Sequence, residues 1–449
     1  MKKFLFYFFT FFFLIFTGSL IAFDTNNKSL ALDFDVIKKE GKISGPTLLL
    51  IGGIQGDEPG GFNATNIFLQ HYQITKGNIW VVPVINKHSM LRNHRGIYGD
   101  MNRKFVKVKK TDPEYFIINR IKNLITNEQI DAILHLHDGS GFYRPTYINS
   151  NMNPNRWGAC CIIDQELLQG SKFPNLGLIT DRVISYINAH LIHPNHRYYK
   201  HNTQTAKGNV EMEKALTYFA VRNHKSAFAN EASKSLSLEL RVYYHLLAIE
   251  GFLHELGIEY KRDFNLTPKR LYYLINDQNL WVKINHNIIL PLYGLRDELK
   301  FFPLPKEEIS KIPLDSPAYI VGLLERDHQV LLKYGNKLMT RLNVDPMDLD
   351  NGLEKVTFIV DGEKKQISVG SILEVKENVS VIDLPAGYRV NVIGFVKPND
   401  FSSEPNESDV KITLKECISK FSIDKKGKIY RAEFYRGKKF AGMVLIKFL

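Results

Sequence analysis

The run Thr47-Leu48-Leu49-Leu50-Ile51 stops at Gly52-Gly53-Ile54-Gln55-Gly56-Asp57-Glu58. A short apolar run bounded by a turn signal reads as a buried strand. A glycine-rich turn at the end of such a strand lets backbone and side chains come close to a ligand. This turn sets Gln55 and Glu58 three residues apart. Gln-x-x-Glu is one substitution away from His-x-x-Glu, with which a turn gives zinc two ligands.

Strand and helix patterns alternate around it. Ser29 to Val36 alternates polar and apolar, as a strand does, and Glu58 to His71 carries Phe62, Ile67 and Phe68 at helical spacing. Asn78 to Val84 is another buried strand, and Asp112 to Asn127 a helix with Ile117, Ile121 and Leu124 on one face. Ala132 to His137 is a strand that ends in the turn Asp138-Gly139-Ser140-Gly141, while Phe173 to Ile192 and Lys234 to Leu256 read as helices. This alternation predicts an α/β unit with a mostly parallel sheet.

After Tyr260 the texture changes. Leu280 to Ile284, Ala318 to Leu323, Lys355 to Val360, Val379 to Ile382 and Tyr388 to Val396 are β-like runs divided by Gly, Pro, Asn and Asp. Tyr430 to Tyr435 and Lys438 to Phe448 read as a terminal hairpin. The expected division is an export segment over 1–22, an α/β domain over 23–260, and two small all-β domains over 261–345 and 346–449.

The 449 residues are 44% hydrophobic, enough for real cores. Lys2-Lys3, the nearly unbroken apolar stretch Phe4 to Phe16, and the small residues Gly18, Ser19 and Ala22 read as a secretory signal peptide. An uncleaved inner-membrane anchor is the alternative. With no second hydrophobic span, the mature protein is expected to be soluble outside the cytoplasm. Cys160, Cys161 and Cys417 form neither a disulfide framework nor a metal knuckle, and read as apolar packing. The net charge of +12 suits an acidic partner. No nucleic-acid motif accompanies it, so nucleic-acid binding is not expected.

Reactive groups gather at strand ends, where open α/β sheets bind ligands. Gln55, Glu58 and His137 would give a metal three protein ligands and leave one position open. Glu231, in Phe228-Ala229-Asn230-Glu231-Ala232-Ser233, could take a proton from water and pass it to a leaving amine. Each has a plainer reading. Glu58 and Glu231 could simply favour helix N-termini, and His137 could be a satisfied strand-end histidine. His135 shares a face with His137 and could compete for the metal. The combination carries the case, with a fourth segment, Arg95-Gly96-Ile97-Tyr98-Gly99-Asp100-Met101-Asn102-Arg103-Lys104-Phe105. Arg103 with Asn102 could clamp a carboxylate, and Arg95 could stabilise oxyanion charge.

These motifs, over residues 24 to about 260, resemble the zinc carboxypeptidases of the carboxypeptidase A family. The Arg-x6-Asn-Arg spacing also looks like the aspartoacylase and succinylglutamate desuccinylase branch. Gln in place of the first His looks like the periplasmic peptidoglycan DL-carboxypeptidases that set helical cell shape. The resemblance implies an α/β domain with a mixed sheet flanked by helices, then a β-barrel-like and an immunoglobulin-like domain. It implies one Zn2+ on Gln55, Glu58 and His137, Arg95 on the scissile carbonyl, Asn102 and Arg103 on the terminal carboxylate, and Glu231 as general base. It also implies a periplasmic enzyme acting on peptidoglycan muropeptides. The expected reaction releases diaminopimelate from L-Ala-γ-D-Glu-meso-diaminopimelate, with the β domains open to other cell-wall enzymes. The rivals are a deacylase of N-acyl amino acids and a non-catalytic wall-binding protein. The family's active-site Tyr has no clear match, with Tyr198 and Tyr199 as candidates.

Overall fold

The computed structural model describes residues 32–396 and 406–449. The expected signal segment, residues 1–22, lies outside the described residues. Among the described residues no helix is long and apolar enough to cross a membrane.

The first part of the chain runs β1 (Ile37–Glu40), β2 (Ile43–Ile51), α1 (Pro59–His71), β3 (Tyr72–Val82), α2 (Lys87–Leu91), α3 (Tyr115–Ile125) and β4 (Ala132–Gly139). A small ladder, β5 (Phe142–Tyr143) with β6 (Met152–Asn153), precedes β7 (Cys160–Ile163), α4 (Leu176–Ala189) and β8 (Tyr199–Asn202). There follow α5 (Leu216–Arg222), β9 (Ser226–Ser233), α6 (Leu238–Glu255), β10 (Glu259–Arg262) and α7 (Pro268–Ile275). The strands form one eight-stranded sheet in the order β1-β3-β2-β4-β9-β7-β8, with β10 also on β3.

Its centre is parallel as expected, since β3, β2, β4 and β9 run the same way. The margins are not, because β1 and β10 oppose β3, and β7 opposes β9. The sheet is therefore mixed. Of the strand expected at Ser29 to Val36, residues 29–31 lie outside the described residues; residues 32–36 form no strand, with Phe34 buried in the core, and β1 starts at Ile37. Every residue of β4 is buried, including His135, His137 and Asp138, which break its apolar run; the strand also continues through Asp138 and Gly139, two residues into the expected turn.

Alternation across β4 and β9 divides chemistry from packing. Leu136 and Asn230 face one way, where Gly61 of α1 packs tightly on Leu136 and Asn230 meets His245 of α6 at 2.9 Å. His135, His137, Ala229 and Glu231 face the other way, towards α5.

Two β units follow. The first combines a three-stranded sheet with a four-stranded sheet containing Glu298–Pro305, Val321–Arg326, Gln329–Tyr334 and Lys337–Met347. Its core takes in Phe62, Met90 and Leu91 from the α/β unit and Phe440, Met443 and Leu445 from the C-terminus. The last unit packs two four-stranded sheets around Phe358, Val381, Tyr430 and Phe434. The strands Ile429–Arg436 and Lys439–Phe448 form the terminal hairpin. Helix α7 packs back on α6 and belongs to the first core.

Candidate metal and catalytic site

The turn after β2 is fixed by backbone demands. Gly53 has φ +64, and a Cβ on Gly56 would lie 2.1 Å from the backbone of Ser89. This close approach carries the chain past α2 and delivers Gln55 and Glu58 to the end of the sheet, both buried. Glu58 is the N-cap of α1, yet its side chain caps no backbone N–H there. Its Oε2 instead lies 3.0 Å from His137 Nδ1 and accepts from the Asp138 N–H at 3.2 Å, and its Oε1 accepts from Arg95 at 3.2 Å. The Glu58 carboxylate is therefore engaged with His137, Asp138 and Arg95 rather than in capping α1.

Parallel pairing of β4 with β9 puts Glu231 directly beside His137. Glu231 lies in the strand; α6 starts only at Leu238, so it is no first-turn acid. Burial pushes its carboxyl up to about 8, against the pull of His137 and with the push of Glu58 and Asp138. Burial alone would lower the His137 pKa, but the Glu58 hydrogen bond and the charge of Glu231 hold it up. Glu58, Asp138 and Glu231 thus crowd one buried point beside His137, and a cation placed among them would relieve that crowding.

His135 sits behind His137 rather than beside Gln55. Its Nδ1 is 2.7 Å from His137 Nε2, and its Nε2 is 2.7 Å from Thr217 Oγ1. Burial and the neighbouring His137 hold its pKa well below the ordinary value. A neutral His135 that accepts from His137 Nε2 leaves His137 Nδ1 facing Glu58.

Asp100, which has no role in the sequence pattern, is a hub in the structure. Its Oδ1 accepts from Gln55 Nε2 and from the Asn102 N–H, both at 2.9 Å. Its Oδ2 accepts from Arg95 Nη2 at 2.8 Å and Nε at 3.0 Å. Burial opposes its ionisation, but Arg95 and Arg103 hold its carboxyl below the ordinary range. Asn102 Oδ1 accepts from the Leu216 N–H at 2.9 Å, so its NH2 group is left for the cleft.

Gln55, Glu58, Arg95, Asn102, Arg103, His137 and Glu231 all line one cleft of about 220 Å³. The seven residues singled out by sequence are therefore brought together. Trp157, Thr217 and Lys234 line it too and had not been singled out. Among the described residues no tyrosine does: Tyr198 is buried against Tyr244, and Tyr199 lies beside Arg144. Neither Tyr candidate reaches the site. Cys160 and Cys161 are free and buried in β7.

Comparison with known proteins places the whole chain in a family. Residues 12–276 match the family model described as the catalytic part of a carboxypeptidase controlling helical cell shape. Residues 277–349 match the β-barrel domain of the same carboxypeptidase group, M99, and residues 349–449 the C-terminal domain of a metallo-carboxypeptidase. Among solved structures, the apo form of the cell shape determinant Csd4 from Helicobacter pylori is 51% identical, with a TM-score of 0.89. The match covers 93% of this chain and 100% of that one. A tripeptide-bound form of Csd4 gives 51% identity, a TM-score of 0.88 and coverages of 93% and 100%. An mDAP-bound form, described as a D,L-carboxypeptidase, gives 52% identity, a TM-score of 0.89 and coverages of 92% and 100%. No curated protein sequence matches this chain.

Proposed function

We propose that this chain, which belongs to the family of carboxypeptidases controlling helical cell shape, trims peptidoglycan tripeptide stems with the cleft described above. The family makes it a metallocarboxypeptidase. The donor set suits zinc. Gln55 Oε1 is buried without a hydrogen-bond partner, while its Nε2 is spent on Asp100. That orphaned oxygen, set among Glu58 and His137, is the observation that carries the reading. With an amide as the third donor, no cluster of three His, Cys, Asp or Glu is present among the described residues.

Gln55, Glu58 and His137 would hold one zinc, which supplies Lewis acidity to an amide carbonyl and to water. Asn102 and Arg103 anchor the terminal carboxylate. Arg95, aligned by Asp100, stabilises charge on the carbonyl oxygen. Glu231 takes a proton from the attacking water and delivers it to the leaving amine. The substrate is L-Ala-γ-D-Glu-meso-diaminopimelate and the product diaminopimelate, by analogy with the tripeptide- and mDAP-bound forms of Csd4. We place the enzyme in the periplasm, exported by residues 1–22. Residues 23–260, 261–345 and 346–449 form its three units, with α7 the piece of the second that packs on the first. The two β units are open to other cell-wall enzymes.

The test is mass analysis of muropeptides after incubation with the zinc-loaded protein. Tripeptides should lose diaminopimelate while tetrapeptides stay intact. Hydrolysis of N-acyl amino acids instead would favour a deacylase, and no cleavage at all would leave a wall-binding protein.

A pH dependence follows. Glu231 accepts a proton only when ionised, and its carboxyl is raised to about 8. A dication in the cleft pulls that value down, so the acid limb of kcat/KM should fall between the ordinary glutamate range and about 8. Activity should rise with pH through this limb. A limb at an ordinary glutamate value would contradict control by the burial of Glu231.

A further inference from the structure

Three cationic side chains other than histidine line the cleft, Arg95, Arg103 and Lys234. The first two have roles; Lys234 has none. It follows β9 and is fixed by its N–H bond to Gly139 O at 2.7 Å. Its ammonium lies 3.0 Å from Asp57 Oδ2 and 3.6 Å from Glu58 Oε1, and its side chain is 32% exposed. An ammonium has three N–H donors, and among the described residues only the contact to Asp57 is at hydrogen-bond distance. Donors remain for an incoming anion. Because Lys234 and Arg95 flank the same Glu58 oxygen, the lysine sits beside the place where the scissile carbonyl is held.

This inference rests on the tripeptide reading. That substrate carries three carboxylates, two on diaminopimelate and one on the D-glutamyl residue. The glutamate is linked through its γ-carboxyl, so its α-carboxylate is free on the acyl side of the scissile amide. An ordinary α-linked peptide carries no such group there. We propose that Lys234 pairs with this α-carboxylate and so selects γ-linked D-glutamyl stems over amidated or α-linked ones. A flexible ammonium suits a carboxylate that arrives on a three-carbon chain.

The experiment uses the zinc-loaded full chain and two tripeptide stems, one with D-glutamate and one with D-isoglutamine, whose α-carboxylate is amidated. The wild type should prefer the free acid by about 10- to 100-fold in kcat/KM, the range of a charge-assisted hydrogen bond. Lys234→Met should shrink that preference to about threefold or less, and Lys234→Arg should retain it. Zinc content of each variant is measured alongside, since Lys234 also touches Glu58. If Lys234→Met slows both stems by the same factor, the lysine only braces Asp57 and Glu58 and the proposal is overturned. A wild type that cleaves both stems equally overturns it too, and leaves the tripeptide reading standing. A wild type that cleaves neither stem overturns both.

Discussion

Replacing Glu231 by glutamine should slow diaminopimelate release by about 1,000-fold, within the range of positioned acid–base catalysis. The substitution keeps the shape of the side chain and removes its capacity to take a proton. Glu231 is the register partner of His137, so the amide would occupy the same place in the cleft. It touches none of the proposed ligands through a hydrogen bond, so zinc content should not change. Stability should not fall either. The carboxyl is disfavoured in its charged form by burial and by the charges of Glu58 and Asp138, and a neutral amide escapes that cost. The combined result expected is near-complete loss of turnover, full zinc occupancy and a Tm equal to or above that of the wild type. A variant that retains a tenth or more of the wild-type rate would move the general base elsewhere.

The legible parts of this molecule were those written in local sequence. Lys355–Val360 was expected as a strand and is one, because its apolar residues alternate over a buried ladder. The turn after β2 was legible from glycine beside an apolar run, and with it Gln55 and Glu58; the turn after β4 begins two residues later than expected, because Asp138 and Gly139 still pair with Ala232 and Ser233. The antiparallel course of β7 was not. Its four residues, Cys160–Ile163, are too few to state a direction, which is set by pairing with β9 nearly seventy positions on. The start of α6 was misplaced for a similar reason. Lys234 continues the helical pattern, but its N–H is taken by Gly139, so the helix waits until Leu238. Asp100 shows the limit for sites. Its carboxylate meets Gln55 from forty-five residues away in sequence, and no spacing rule announces that contact. Lys234 meets Asp57 across 177 residues, which hid it in the same way.

On the proposed ligand set, Asp100 would let a glutamine serve where an imidazole is usual, and the largest expected effect on metal binding lies here. An amide presents either its oxygen or its NH2 group, and a free Gln55 could turn either to a cation. With Asp100 accepting from Nε2, the oxygen is the atom left facing the cluster. The carboxylate polarises the amide as well, which strengthens an otherwise weak neutral ligand. Gln55→Ala deletes that ligand and should weaken zinc by more than about 100-fold, beyond the usual effect of losing a supporting partner. Asp100→Asn keeps the ligand but loses its charged partner, and should cost about 10- to 100-fold in zinc affinity. It should also lower kcat, because Arg95 loses the carboxylate that aligns it. Gln55→His should keep the metal, since an imidazole can donate to Asp100 with one nitrogen and bind with the other. Chelator competition on the purified variants measures all three. If Gln55→Ala bound zinc as tightly as the wild type and cleaved the tripeptide at full rate, the oxygen of Gln55 would be no ligand, and the turn would do no more than connect β2 to α1.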